Sequence, residues 1–376
     1  MSLKIGILGT RGIPNHYGGF EQCAAQISKK LVLQGHDVAV YNSHKHPYQE
    51  KEWQGVKLIH CFDPEHKIGT FGQFVYDFNC FIDSKKRKFD VLLQLGYTSN
   101  AILYPFWPSY CPNLINMDGL EWKRTKYTTL VRKFLKYAEG VAVKHANWLV
   151  ADSVGIKDYL YKKYSCSSSF IPYGAIPFTS PDPSLLPKNL VANNYDLLIA
   201  RMEKENSIEC VIKAFLNRNT SRQLVLVGSI ENGYGKLLHQ QFAKNNNIVF
   251  LGGLYDLKVL NNLRYFSHLY YHGHTVGGTN PSLIEAMASN AMIIAHRNEF
   301  NSNVLEENAY YFSNQKELTS LIMNLENEGK NETFLKSNLE KVKAHYNWES
   351  VTKQYERVFY EAIKEFNQAK GPKRTS

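Results

Sequence analysis

The sequence predicts an α/β protein built of two doubly wound halves. Three observations predict it. Short apolar runs of the buried parallel-strand type alternate with helical patterns. The alternation restarts after a proline-rich stretch. Each half carries a glycine-bearing loop directly after a strand. A chain of 376 residues with 44% hydrophobic content is long for one domain and can bury two cores. Its 24 Tyr and 20 Phe exclude a disordered chain.

In chain order, residues 4–8 (KIGIL) form a first strand, and 10–19 (TRGIPNHYGG) form a loop. Residues 20–34 read as a helix closed by Gly35, and 37–43 (DVAVYNS) as the next strand, which completes a βαβ unit. Further strands are expected at 56–62, 90–96, 113–119, 147–153 and 168–175, with a long helix over 128–145. Residues 172–190 hold five prolines and no periodicity, a linker composition. The pattern resumes with strands at 195–201, 222–228, 248–253, 269–273 and 291–296, and a helix at 207–217. From Asn347 an amphipathic helix carries Trp348, Val351, Tyr355, Val358, Phe359, Ala362 and Phe366 at helical spacing, followed by a basic, frayed tail, KGPKRTS. The expected domains are 1–175 and 176–346, with the helix 347–368 packing back on the first. Ligands of open parallel sheets bind outside the carboxyl ends of the strands. Two such sheets facing each other would place a cleft lined by the 9–19 loop and by 274–285.

The most informative stretch is 274–288, HTVGGTNPSLIEAMA. A small, polar loop runs into Pro281, suited to the first position of a helix. Such a helix start aims backbone N–H groups and a positive dipole at its guest, and phosphate is the natural one. Glu285 lies one turn in, where it can accept from sugar hydroxyls. The same pattern also fits an ordinary capped helix with a surface glutamate.

The motifs ARMEKENSIECVIKAF (200–215), LVLVG (224–228) and VGGTNPSLIEAMA (276–288) resemble the nucleotide-binding half of GT-B fold, family 4 retaining glycosyltransferases. GTRGIPNHYGGFE (9–21) and NMDGLEWKRTKY (116–127) resemble the subgroup that contains bacterial rhamnosyltransferases of capsule and cell-wall polysaccharide assembly. The resemblance implies that Arg201 binds the donor diphosphate, where a guanidinium pairs with phosphate in a planar, bidentate way. It implies that Glu285 holds the nucleotide ribose and that Gly277, Gly278, Thr279 and Asn280 form the loop over the diphosphate and sugar. Gly18 and Gly19 match the N-terminal loop that lets backbone approach the donor.

Three departures from the pattern stand out. The second glutamate that many members carry eight positions before the ribose one is here Gly277. The lysine expected five residues after the arginine is Asn206, with Lys204 nearby as a substitute. The usual histidine of an N-terminal strand end is Met117, which leaves Asp118 and Glu121 as the groups expected to contact the acceptor, as base or hydroxyl partner. Capping of a helix by Asp118, with Glu121 in its first turn, is the structural alternative.

Other chemistries fit less well. The 9–19 loop is not GxGxxG, and the 37–43 strand ends in Tyr41, Asn42 and Ser43 with no acid for a cofactor ribose, which argues against a nicotinamide dehydrogenase. The pair His272 and His274 follows a strand and could touch donor phosphates, but without a carboxylate it makes a poor metal site. No Asp-x-Asp motif is present, so no metal is expected to be required. Cys23, Cys61, Cys80, Cys111, Cys166 and Cys210 are scattered, as suits reduced thiols. No signal-peptide layout and no stretch near the ~20 apolar residues of a membrane span is found.

The net charge of +10 suits an anionic membrane surface or phosphorylated substrates, and nucleic acid least. Residues 122–137 read as a basic amphipathic helix, with Tyr127, Val131, Phe134 and Leu135 on one face and Lys123, Arg124, Lys126, Arg132, Lys133 and Lys136 around it. It suits an anionic membrane, the pyrophosphate of a lipid-linked acceptor, or simple packing on the sheet. The resemblance thus implies a retaining transferase at the cytoplasmic face of the plasma membrane, moving a deoxysugar, rhamnose from dTDP-rhamnose, to a lipid-pyrophosphate saccharide. A UDP- or GDP-sugar transferase, a sugar-nucleotide epimerase or hydrolase, and a non-catalytic membrane scaffold are the alternatives.

Overall fold

A computed structural model describes residues 1–370 apart from Tyr17, Thr125 and Asn219; residues 371–376 of the basic tail lie outside the described residues. The chain divides into two α/β units. The first comprises Met1–Trp122, Thr129–Pro172 and the chain from Trp348; the second comprises Lys123–Thr128 and Tyr173–Asn347. The six residues 123–128, read above as part of the first half, therefore belong to the second unit.

The first unit holds β1 (Lys4–Leu8), β2 (Asp37–Ser43), β3 (Glu52–Trp53), β4 (Val56–Cys61), β5 (Val91–Leu95), β6 (Asn113–Asn116), β7 (Trp148–Ala151) and β8 (Ser169–Phe170), in the order β3-β4-β2-β1-β5-β6-β7-β8. All neighbours are parallel except the β3–β4 pair. Strands such as β1 and β5 are almost wholly apolar, Lys4 and the buried Gln94 apart, because both faces of a parallel sheet are covered. The chain builds outward from β1 through β2 to β4, then returns to β5 and builds the other way. The reversal lies between β1 and β5, and the loop after β1 opens there. The helix Trp348–Lys370 belongs to this unit: Tyr355 accepts from Asn116 Nδ2 at 2.9 Å and Glu356 meets His36 at 3.0 Å.

The second unit holds β9 (Tyr195–Ile199), β10 (Gln223–Val227), β11 (Ile248–Gly252), β12 (Tyr270–His272), β13 (Ile293–His296) and β14 (Tyr310–Phe312), an all-parallel sheet in the order β11-β10-β9-β12-β13-β14. Its reversal lies between β9 and β12. Near the amino end of β9, the buried Asp196 joins β12 through a tyrosine hydroxyl and pairs with an arginine that follows the helix Ile208–Leu216. Asp196 accepts from Arg218 at 2.7 Å and from the Tyr271 hydroxyl at 2.7 Å. At the carboxyl ends, a Cβ on Gly273 would run into the carbonyl oxygen of Asn206, so the loops that follow β9 and β12 touch backbone to backbone.

Several expectations need correction. The helix expected over 122–137 begins only at Thr129; Glu121–Lys123 is a 3-10 turn, and Lys123, Arg124 and Lys126 lie ahead of the helix. Leu135 is buried but Val131 faces water, so the expected apolar face is not a single packed stripe. The proline-rich 172–190 stretch is not a free linker: Ala175 donates to Tyr346 at 2.7 Å, Phe178 to Ala288 at 2.9 Å, and Leu186 and Leu190 pack on the second core. The sequence reading also leaves out β14 and the helices Gly72–Arg87, Val154–Tyr164, Gly233–Phe242, Leu257–Tyr265, Gln315–Leu325 and Glu332–Ala344.

One face of the first unit leaves apolar side chains in water. Ile68, Phe71, Ile82, Tyr104, Phe106, Leu130 and Tyr137 are exposed, Leu130 by 79%. Ring contacts join the elements that carry them: Phe71–Phe74, Phe74–Phe134 and Phe78–Phe106 centroids lie 5.7, 5.8 and 4.9 Å apart. The helices Gly72–Arg87 and Thr129–His145 add exposed Lys85, Lys86, Arg132, Lys133 and Lys136, while their acids are buried (Asp77, Glu139) or paired with Arg87 (Asp83). Among the described residues no helix is long and apolar enough to cross a membrane.

The Gly273 contact is directly testable. Gly273→Ala forces a methyl group into the Asn206 carbonyl, and overpacking of this kind costs about 1–3 kcal/mol. A lower urea midpoint is expected for the second unit; an unchanged midpoint would show that the loops part without cost.

Candidate functional site

The loop after β9 runs through Arg201 to Ser207, and the loop after β12 runs from Gly273 to Asn280. Parallel strands end together, so both loops emerge at the reversal point, where open α/β sheets bind ligands. Hydrogen bonds lock the two loops to each other and hold each in shape. Thr275 donates its N–H and its hydroxyl to the Glu205 carbonyl at 2.9 and 3.0 Å. Asn206 donates its side-chain amide to the Arg201 carbonyl at 2.7 Å, and Asn232 donates to the Met202 carbonyl at 2.8 Å. Asn298 and Asn301 both donate to the His274 carbonyl, at 2.9 and 3.0 Å.

Arg201, Asn206, Gly277, Gly278, Thr279, Asn280 and Glu285 are thus brought to one end of one sheet. Their duties differ. Arg201 presents its side chain to water, 63% exposed. Asn206 is buried and spends its amide on the loop. Lys204 is exposed and lines a shallow depression with Glu209, Tyr234 and Leu237 rather than the loop after β12. Asn280 caps the helix Pro281–Ala288, accepting from the Ser282 N–H at 2.9 Å. Glu285 accepts from Arg264, a nearly fully buried guanidinium that also binds Asn261 at 3.0 Å. The pair holds the carboxylate in one orientation one turn into the helix. Gly277 takes φ +147° with open space where a side chain would stand.

Charge gathers beside Arg201. Glu203 pairs with Arg124 at 3.2 Å and with Lys126 at 2.9 Å, and Arg201 Nη1 lies 3.9 Å from the same carboxylate. Burial pushes the Glu203 carboxyl up, but the Arg201, Lys126 and Arg124 charges outweigh it and hold it below its ordinary value. Arg124 and Lys126, expected around a helix of the first half, sit here instead. His272 is fully buried and cannot reach a phosphate; its ring stacks on His274 at 4.3 Å. Burial, with Arg201 and Arg124 nearby, lowers the His274 pKa to about 3. Burial first, then His274 and Arg264, drives His272 well below its ordinary value. Neither His272 ring nitrogen has a hydrogen-bond partner among the described residues.

In the first unit, the Gly9–Gly18 loop follows β1 at the other reversal point. Gly9 has φ +88° and lies against the Leu95 backbone, too close for a Cβ. Gly18 precedes the helix Gly19–Leu33 without a side-chain cap. Beside it the buried Glu21 carboxylate accepts from the Arg11 N–H at 2.9 Å, and the Arg11 guanidinium forks onto Glu65 at 2.7 and 3.1 Å. Asn42 exchanges bonds with the Ile13 backbone at 3.0 and 2.8 Å.

Asp118 and Glu121 follow β6. Asp118 adopts φ 51°, whereas a helix cap takes extended backbone, and the turn it was expected to cap starts three residues later. Glu121 is buried. Both lie near Tyr97, whose buried hydroxyl is driven up by burial, by Glu139, and by Asp118 and Glu121. Glu139 is the residue that the sequence reading missed. Buried, it accepts from Trp122 Nε1 at 2.9 Å, Tyr159 at 2.6 Å, Tyr164 at 2.6 Å and Lys163 at 2.8 Å, and so anchors the turn that carries Glu121. Its one signal is that it is the sole acid in the otherwise basic stretch 129–145.

The buried histidines make a pH prediction. His272 stays neutral when folded, while an unfolded histidine takes a proton near pH 6.5. The unfolded state therefore gains protons as pH falls, and the folded state loses about 1 kcal/mol by about pH 5.5. His272→Phe removes that loss. Its urea midpoint should gain on the parent between about pH 7.5 and 5.5; parallel curves would contradict a neutral buried ring.

Residues 189–342 match the family described as glycosyl transferases group 1, and residues 3–176 match a domain of unknown function, DUF1972. No curated protein matches the chain by sequence. Among solved structures, sucrose-phosphate synthase from Thermosynechococcus elongatus is similar at 17% identity, with 96% of this chain and 99% of that one covered and a TM-score of 0.76. Anabaena HepE in complex with UDP-glucose is similar at 16% identity, covering 96% and 100%, with a TM-score of 0.74. The trehalose 6-phosphate synthase of Burkholderia multivorans is similar at 9% identity, covering 100% of both chains, with a TM-score of 0.73. With two parallel-sheet α/β units and a glycosyl transferases group 1 domain over residues 189–342, this chain is a glycosyltransferase of the GT-B fold.

Proposed function

We propose that this glycosyltransferase moves a deoxysugar, rhamnose from dTDP-rhamnose, to a lipid-linked saccharide in capsule or cell-wall polysaccharide synthesis, with retention at the anomeric carbon and without a metal. The observation that carries the donor half of this reading is the loop after β12. Glu285 is oriented by Arg264 for a ribose, and position 277 offers open space instead of the carboxylate that would grip a fully hydroxylated sugar. A deoxysugar has fewer polar handles to lose there. The solved Anabaena HepE complexes with UDP and UDP-glucose, on the same fold, support a nucleotide-sugar donor.

In the proposed reaction negative charge builds on the leaving diphosphate. Arg201 and the N-terminus of the Pro281–Ala288 helix stabilise it. Gly18, Gly19, Gly278 and Thr279 bring backbone close to the donor, and Asp118 and Glu121 contact the acceptor. The acceptor hydroxyl attacks from the face the diphosphate leaves, with a leaving phosphate oxygen taking its proton.

A panel of dTDP-, UDP- and GDP-sugars, with and without lipid-linked GlcNAc, tests the reading through nucleotide release and product anomer. Acceptor-dependent turnover of dTDP-rhamnose is expected, and Arg201→Ala should lower kcat/KM about 100-fold or more at unchanged fold. A UDP- or GDP-sugar turned over instead replaces the donor. Turnover without acceptor indicates an epimerase or hydrolase, and no binding of any sugar nucleotide indicates a scaffold.

The lipid-linked acceptor and a location on the cytoplasmic face of the plasma membrane draw support from the exposed apolar face of the first unit and its basic side chains, including Arg132 and Lys133, with Lys123 just ahead of them in sequence. Vesicles containing anionic lipid should sediment the parent protein. The variant Leu130→Gln with Arg132→Gln and Lys133→Gln should stay in the supernatant, and equal sedimentation of both would remove the membrane role.

A further inference from the structure

We propose that Arg124 and Lys126 are donor-site residues that bind the diphosphate together with Arg201, replacing the cation that position 206 lacks. This rests on the donor reading above.

Asn206 stands where a lysine was expected, and its amide is committed to the Arg201 carbonyl at 2.7 Å. It therefore shapes the loop and brings no charge to a ligand. The segment Lys123–Thr128 belongs to the second unit and lies against this same loop. The Lys126 backbone N–H donates to the Glu205 carboxylate at 3.3 Å, and Glu205 in turn receives both Thr275 bonds on its carbonyl. The segment is thereby hydrogen-bonded into the two loops of the reversal point.

Three cations then converge on one carboxylate. Arg124 Nη1 is 3.2 Å, Lys126 Nζ 2.9 Å and Arg201 Nη1 3.9 Å from Glu203 oxygens. Arg124 and Glu203 are mostly buried, which strengthens the field there. A carboxylate offers a guanidinium and an ammonium the same pair of anionic oxygens that a phosphate offers. Glu203 is thus a stand-in for the ligand: a diphosphate, carrying more charge, displaces it and takes over the three cations. Fully buried His272 stacks on His274, both of its ring nitrogens lack a partner among the described residues, and it stays neutral there, adding no further charge.

Calorimetry on the full chain with dTDP and dTMP as probes tests the assignment. The Arg124→Gln/Lys126→Gln variant is expected to bind dTDP about 20-fold or more weakly and dTMP within about 3-fold of the parent, because the second phosphate is what the added cations read. The charge-preserving Arg124→Lys/Lys126→Arg variant should keep most of the dTDP affinity, and Glu203→Gln should bind dTDP at least as tightly as the parent. Unchanged dTDP binding by the Gln variant overturns the proposal, as does an equal loss of dTDP and dTMP, which marks a merely structural role. If the parent binds none of dTDP, UDP and GDP, the donor reading falls and takes this assignment with it; if the parent binds and the Gln variant binds alike, this assignment alone falls.

Discussion

The carbonyl oxygen of Asn206 occupies the space a side chain would need at residue 273. Much of the second unit's site depends on this contact. Residues 206 and 273 follow two strands that are neighbours in the sheet yet far apart in sequence. The contact sets the spacing of the Arg201 loop and the 273–280 loop. The two Thr275 bonds to the Glu205 carbonyl cross between the loops at that spacing, while the Asn206 bond to Arg201 shapes the first loop from within. Nearer the amino end of β9, the Tyr271 hydroxyl of β12 donates to the buried Asp196, which also pairs with Arg218. Ties of this kind present the two loops in one arrangement.

The electrostatics follow from this geometry. A buried cation is costly unless paired, and Glu203 pairs the mostly buried Arg124 while also meeting the more exposed Lys126 and Arg201. The same field, together with burial, keeps His274 neutral far below its ordinary range. In the glutamate–arginine pair of residues 285 and 264, a buried guanidinium finds its partner while the carboxylate is held one turn inside a helix. Each ion pair both satisfies a buried charge and aims a group.

The first unit uses the same plan with different chemistry. Its glycine loop is tied by carboxylates and amides, Glu21 to the Arg11 backbone and Asn42 to Ile13. Its turn at Glu121–Lys123 hangs from Glu139 through Trp122. A buried glutamate with four donors is a rigid post. The tyrosines and lysine around it have no function legible in isolation, because no motif spacing links residues 122, 139, 159, 163 and 164.

The sequence by itself determined the α/β class, the repeated strand–helix alternation, the loop that carries Arg201 and the loop-to-helix start that carries Glu285. These are local properties: strand apolarity, glycine content and a proline at a helix start are written within a few residues of each other. It misjudged the 122–137 stretch and the proline-rich strap for the same reason, since local amphipathicity and composition cannot say what a segment packs against. Only the tertiary structure decided that residues 123–128 belong with the second unit, that Arg124 and Lys126 meet Arg201 over Glu203, and that Asn206 serves the loop rather than a ligand. Those outcomes depend on parallel strands, whose partners are distant in sequence and whose carboxyl ends bring remote loops to one edge.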